Sequence, residues 1–138
     1  MILFDTSVII DARDLDSEFH QWAKLQIAGA IATEGAAVNS IVIAEASVRV
    51  EQPENCVRHL ETIGIVLLPL PVAAAIPAAR AFALYLDWLK AEGKPVRTKI
   101  PPGDFFIGAH AAAEGMKLVT RDPARVVTYF PSVELVQP

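Results

Sequence analysis

Apolar runs of only two to four residues recur along this chain, separated by segments long enough to be helices: Ile2-Leu3-Phe4, Ala36-Ala37-Val38, Ile65 to Leu68 and Leu118-Val119. A short run that is apolar throughout, without polar alternation, suits a strand covered on both faces, and such strands belong to parallel sheets. Alternation of strand and helix from end to end predicts an α/β fold with a mainly parallel central sheet flanked by helices on both faces. Val133 to Val136 reads as a last, edge strand. The chain of 138 residues is long enough to bury its own core, and no repeat or linker divides it, so one domain over residues 1–138 is expected.

Helix boundaries follow from caps and breakers. Thr6 or Ser7 is an expected cap for a following turn of helix, and Asp11 to Glu18 reads as a solvated acidic loop before a helix through Phe19, Trp22, Leu25 and Ala30. Ser40 is an expected N-cap for a helix over Ile41 to Val50, on which Ile41, Glu45 and Val48 share a face. Pro53 suits the first turn of a helix reaching Ile63. A further helix is expected from Pro77 to Lys90, stopped by Gly93. The stretch Glu92 to Gly103 is an irregular connection carrying Lys94, Arg97 and Lys99, and Asp104 to Glu114 is a helix stopped by Gly115. The Pro-interrupted apolar region Ile63 to Leu86 reads as strand, turn and helix and not as a membrane span, and the start of the chain shows no signal-peptide pattern. A single cysteine, Cys56, excludes an internal disulfide and fits a reducing, cytoplasmic setting, with the thiol buried and no basic neighbour to activate it.

Four acids stand where such a fold gathers ligands. Asp5 ends the first strand, Asp122 follows the strand near Leu118, and Glu45 and Asp104 lie on helices placed to lean over the same edge. Ligands of parallel sheets collect beyond the carboxyl ends of the strands. An all-oxygen set of carboxylates suits a hard cation such as Mg2+ or Mn2+. Two such charges about 5 Å apart repel by roughly 3 kcal/mol at an effective dielectric near 20, so the empty arrangement is strained until a cation or a shared proton relieves it. A cation there would polarise a phosphodiester and activate water, so hydrolysis would need no protein nucleophile. Thr6, Ser7 and Thr120 lie beside the acids and suit hydrogen bonds that orient them. Each acid also has a plainer reading: Asp104 as a helix N-cap, Asp122 before Pro123 as a turn former. His20, His59 and His110 lack ligand spacing and read as structural or surface residues, and Trp22 and Trp88 as core or interface residues.

The net charge is -4, which argues against loose binding to nucleic acid, but the charge is unevenly spread. Residues 1–79 carry 4 basic and 10 acidic side chains, and residues 80–138 carry 8 basic and 6 acidic. A phosphate-facing surface is therefore expected in the second half.

The runs Leu3-Phe4-Asp5-Thr6-Ser7-Val8-Ile9-Ile10, Ile43-Ala44-Glu45, Gly103-Asp104-Phe105-Phe106-Ile107-Gly108-Ala109-His110-Ala111 and Leu118-Val119-Thr120-Arg121-Asp122-Pro123, in this order and spacing, resemble the PIN-domain family, and in particular its VapC-type toxins. The resemblance covers essentially the whole chain. It implies a small α/β endoribonuclease using Mg2+ or Mn2+, with Asp5, Glu45, Asp104 and Asp122 as the acidic metal-binding and catalytic positions and Thr120 at the family's hydroxyl position. It also implies an RNA substrate such as tRNA or rRNA, a homodimer, and a VapB-type antitoxin whose basic side chain stands in for the metal. Gly108 replaces a frequent alanine, and little effect on the helix is expected. The rival reading is a non-catalytic RNA- or protein-binding module that keeps the fold and captures a basic peptide. A phosphatase or phospho-receiver is disfavoured, because Asp5-Thr6-Ser7 lacks a second acid two residues on and no closely spaced acidic pair is present.

Overall fold

Five strands lie side by side in the computed structural model, which describes residues 1–138: β1 (Ile2–Phe4), β2 (Ala36–Asn39), β3 (Val66–Leu68), β4 (Lys117–Val119) and β5 (Leu135–Val136). Their order is β3-β2-β1-β4-β5, and every neighbouring pair is parallel. Leu3 and Phe4 point to opposite faces of β1 and both are fully buried, so the sheet is covered on both sides as the apolar runs predict. In β1, Leu3 stands opposite Ala37 on one side and Leu118 on the other.

The chain winds from β1 through β2 to β3 at one edge, then returns to place β4 on the other side of β1. The connections leaving β1 and β4 thus depart in opposite directions. A crevice opens at such a reversal, beyond the carboxyl ends of the two strands. Asp5 follows β1 and Thr120 follows β4, and the backbone N–H of Asp5 donates to the Val119 carbonyl at 3.0 Å.

Seven α-helices cover the sheet: α1 (Thr6–Arg13), α2 (His20–Ala32), α3 (Ser40–Ser47), α4 (Pro53–Thr62), α5 (Ala75–Ala91), α6 (Gly103–Glu114) and α7 (Ala124–Tyr129). A 3-10 turn over Val72–Ala74 leads into α5. Together Val72–Ala91 are long and apolar enough to cross a membrane, but Ala78, Ala81, Phe82 and Leu89 are buried within the fold. Gly115 ends α6 in the left-handed conformation, φ 62°, with its N–H on the Ala111 carbonyl, as the sequence predicts. One cluster of 26 buried residues, from Leu3 to Phe130, forms the core.

Several local expectations are corrected. The N-cap of α3 is Asn39, whose side chain accepts from the N–H groups of Ile41 and Val42, and not Ser40. Asn39 is fully buried, and its Nδ2 lies 3.1 Å from Nδ1 of His110, so this histidine is a core residue tying β2 to α6. The first helix runs on to Arg13, so Asp11 belongs to α1 and is buried at 5% exposure instead of lying in a solvated loop. Helix α7 occupies the stretch after Pro123, for which no element was expected. The α3 face shared by Ile41, Glu45 and Val48 is not buried as a whole, since Glu45 and Val48 are exposed. Cys56 is buried as expected, but it has a basic neighbour: Arg13 Nη1 donates to its Sγ at 3.4 Å.

Gly108 also departs from expectation. A Cβ added there would stand 2.6 Å from the Phe130 ring, which is itself buried. The intrinsic helical advantage of alanine over glycine is about 1 kcal/mol, whereas overpacking a rigid aromatic costs about 1–3 kcal/mol. Gly108→Ala is therefore expected to lower stability by about 1 kcal/mol net. Urea unfolding checks this, and a variant more stable than the parent would show that Phe130 moves aside freely.

Candidate functional site

Asp5 leaves β1 in extended conformation, φ -73° and ψ 156°, and it, not the expected Thr6 or Ser7, is the N-cap of α1, accepting the Thr6 N–H at 2.7 Å on Oδ1. Its other oxygen, Oδ2, accepts from Thr120 Oγ1 at 2.7 Å and Ser7 Oγ at 3.3 Å. Thr120 is fully buried, so its hydroxyl is a fixed donor linking the ends of β1 and β4. The same hydroxyl oxygen accepts the Asp122 N–H at 3.1 Å. Asp122 is attached to the site in this way while its carboxylate remains exposed and unpaired.

Burial raises the Asp5 pKa above the ordinary aspartate value; the hydrogen bonds from Thr120, the Thr6 N–H and Ser7 act against this, and the nearby charge of Asp104 adds to it. The carboxylate is thus well oriented and yet short of positive charge.

Glu45 reaches the same place from α3. Its Oε1 accepts from Thr6 Oγ1 at 2.7 Å, one residue along from Asp5. It also lies against the start of α6, where a Cβ on Gly103 would come within 2.8 Å of both carboxylate oxygens. Only glycine lets α6 approach Glu45 this closely.

Asp104 lies in the first turn of α6, but Pro102 holds the cap position, so the expected N-cap role is not observed. The carboxylate is instead bound by Arg125 of α7, whose Nη1 donates to Oδ1 at 3.0 Å and to Oδ2 at 2.7 Å. The guanidinium of Arg125 lies over the rings of Tyr85 and Phe105, 4.9 and 5.1 Å from their centroids. Desolvation works against its charge, but the hydrogen bond and charge of Asp104, with Tyr85, outweigh this and raise its pKa.

All four sequence-predicted acids are therefore brought to the switch point of the sheet, joined through Thr6, Thr120 and Gly103. They do not form a closed cage. No three Asp, Glu, His or Cys side chains stand at the spacing needed to hold one ion between them. The donor chemistry suits a hard cation, because every candidate ligand is a carboxylate oxygen and magnesium commonly keeps several waters as well.

Arg125 was not foreseen as part of the site, and neither was the pair behind it. Asp11 on α1 accepts from Ser17 Oγ at 2.8 Å, and Arg121 Nε stands 2.8 Å from its Oδ2 off the hydrogen-bonding line, an ionic contact. This pair ties α1 to the loop that carries Asp122. Its signal was present in the sequence: Val8 and Asp11 are three apart, so a helix that buries Val8 turns Asp11 inward as well.

Residues 2–127 match the model of the PIN domain family. No curated protein matches the chain in sequence. Among solved structures, the VapBC2 complex of Rickettsia felis bound to a promoter DNA fragment contains a similar chain, with TM-score 0.68 and 18% identity over 99% of this chain and 98% of that one. FitAB bound to IR36 DNA gives TM-score 0.67 and 20% identity, covering 100% and 95%. VapBC from Salmonella typhimurium, also bound to DNA, gives 0.61 and 21%, covering 99% and 98%. At these identities the likeness is one of fold. With a family match spanning almost its whole length and four acids gathered where the sheet reverses direction, the chain belongs to the PIN-domain family.

Proposed function

We propose that this protein is a Mg2+- or Mn2+-dependent endoribonuclease, the VapC-type toxin of a toxin–antitoxin pair, and that it works in the cytoplasm as a homodimer. The observation that carries the reading is the Asp5 carboxylate: oriented by Thr120, Ser7 and the Thr6 N–H, partly desolvated, and set near Asp104 with no cation of its own. Two of the similar solved chains come from VapBC complexes, one from FitAB, and a further one from a toxin–antitoxin complex of Klebsiella pneumoniae.

Asp5, Glu45, Asp104 and Asp122 would hold the cation. When bound, it would supply the positive charge that polarises a phosphodiester and eases loss of a proton from water. The protein's own groups do the positioning. Thr120 and Ser7 keep Oδ2 of Asp5 in one orientation, and Thr6 does the same for Glu45. Arg125 partly neutralises Asp104 and brings a guanidinium to the rim of the site, suited to a phosphate oxygen. For the antitoxin, an apolar cleft of about 480 Å³ between α1, α2 and α4, lined by Ile9, Leu15, Ile27, Ile31, Leu60 and Ile63, suits the apolar face of an amphipathic segment.

Purified protein is expected to cut structured RNA in the presence of Mn2+ or Mg2+, to stop on chelation, and to resume when the ion is restored. Cutting that persists at the parent rate under chelation would overturn the metal-dependent reading. One observation favours the non-catalytic alternative: Arg125 already occupies Asp104, and no three of the acids stand at the spacing needed to hold one ion between them. A protein that binds basic peptide and never cuts RNA under any metal would establish that alternative. Gly103→Ala gives a finer test. The added methyl must push the exposed Glu45 carboxylate aside, so cleavage is expected to fall about 10- to 100-fold with the thermal midpoint nearly unchanged. Full activity in this variant would show that the position of Glu45 is not needed.

A further inference from the structure

We propose that a basic cleft beside the acidic site binds a backbone phosphate of the RNA substrate, next to the phosphate that is cut. This rests on the ribonuclease reading. The cleft has a volume of about 300 Å³ and lies between the C-terminal half of α5, the connection before α6 and the start of α7. Tyr85, Lys94, Arg97, Thr98, Pro102 and Arg125 line it, and no acidic residue does.

Two features distinguish it from an ordinary solvated loop. Neither Lys94 nor Arg97 has a salt-bridge partner, so two of its three cations remain unneutralised, in a chain whose net charge is -4. The cations are also shaped by their surroundings. Lys94 Nζ rests 4.5 Å from the centroid of the Trp88 ring, and Thr98 Oγ1 donates to the Ile100 carbonyl and accepts the Ile100 N–H, which folds the connection back on itself.

Arg125 joins the two sites. Both of its bonds to Asp104 come from Nη1, so Asp104 does not use the other guanidinium N–H groups, and the same residue forms part of the cleft wall. A polyanion whose one phosphate reaches the acids through a cation would thus lay the neighbouring phosphate among Lys94, Arg97 and Arg125. Such contacts position the strand without reading its sequence. The cleft therefore contributes affinity and register but not base preference.

The test uses the full-length protein and a short single-stranded RNA labelled with a fluorophore. Anisotropy is measured in chelator, so that no strand is cut, from about 50 to 200 mM salt; cutting is then measured with Mn2+. Lys94→Ala/Arg97→Ala is expected to weaken binding about tenfold and to make the salt dependence shallower by about 1.4 in log-log slope, equally across RNA sequences. The charge-preserving pair Lys94→Arg/Arg97→Lys should bind as the parent does. The control pair Lys24→Ala/Arg58→Ala, on α2 and α4, should also leave binding and slope unchanged. A parent that cuts RNA while Lys94→Ala/Arg97→Ala binds with parental affinity and slope keeps the nuclease and overturns the cleft. Equal losses in the control pair would also overturn it, because they would mark a response to net charge alone. A parent that neither binds nor cuts RNA overturns both readings.

Discussion

Asp5→Asn is expected to lower RNA cleavage by about 10³-fold, equivalent to about 4 kcal/mol of transition-state stabilisation, while the protein stays folded and gains stability. The asparagine oxygen takes the place of Oδ1 and keeps the Thr6 N–H, so the cap of α1 survives, while its NH2 takes the place of Oδ2 and the Thr120 and Ser7 hydroxyls turn from donors to acceptors. The negative charge is lost. Because burial, with help from Asp104, raises the Asp5 pKa in the folded protein, the native state holds this proton more tightly than the unfolded chain does. Ionisation of Asp5 therefore costs stability. The cost is absent below the unfolded pKa, grows as pH rises through the interval up to the raised folded value, and is complete above it. The stability gained by Asp5→Asn, measured by thermal unfolding in chelator, should follow the same course and vanish near about pH 3. A gain independent of pH would show that relief of charge is not its source, and cleavage at the parent rate would remove Asp5 from the chemistry.

Arg121→Ala should produce the largest loss of stability, about 2–3 kcal/mol. The substitution leaves the Asp11 carboxylate, buried at 5% exposure, with the Ser17 hydroxyl and no cation. An uncompensated buried charge typically costs about 3–5 kcal/mol, and the lower figure allows for Arg121 being 41% exposed, which lets water approach. The reverse change is milder. In Asp11→Asn the abandoned guanidinium can turn to solvent, so about 1 kcal/mol is expected, and Arg121→Ala/Asp11→Asn should recover much of what Arg121→Ala loses. Denaturant unfolding of the three variants closes the cycle. If Arg121→Ala costs no more than Asp11→Asn, the buried carboxylate does not depend on Arg121 and the pair is not a brace for the loop carrying Asp122.

Neighbours along the chain were the easier part to foresee. Ile2-Leu3-Phe4 has only one comfortable state, a strand covered on both faces, and Asp5 must then emerge at its end. Gly115 can only stop a helix, and Pro53 can only begin one. Errors arose where two locally similar options compete. Asn39 and Ser40 are both good caps, and the choice went to Asn39 because its buried amide is also held by His110. Asp104 resembled a cap until Arg125 arrived from a helix 21 residues away and held its carboxylate. Gly108 looked like a small helix defect, whereas Phe130 requires its missing methyl.

From the sequence alone came the alternation of buried strands and helices, and with it the parallel sheet and the strand-end positions of Asp5 and Asp122, because hydrophobic periodicity and turn chemistry act over a few residues. Tertiary structure alone decided that β4 lies beside β1, that Thr120 bridges to Asp5, that Gly103 admits Glu45, and that Arg125 holds Asp104 beside a basic cleft. Those outcomes depend on distances between segments far apart in the chain, and such distances exist only once the sheet order is settled.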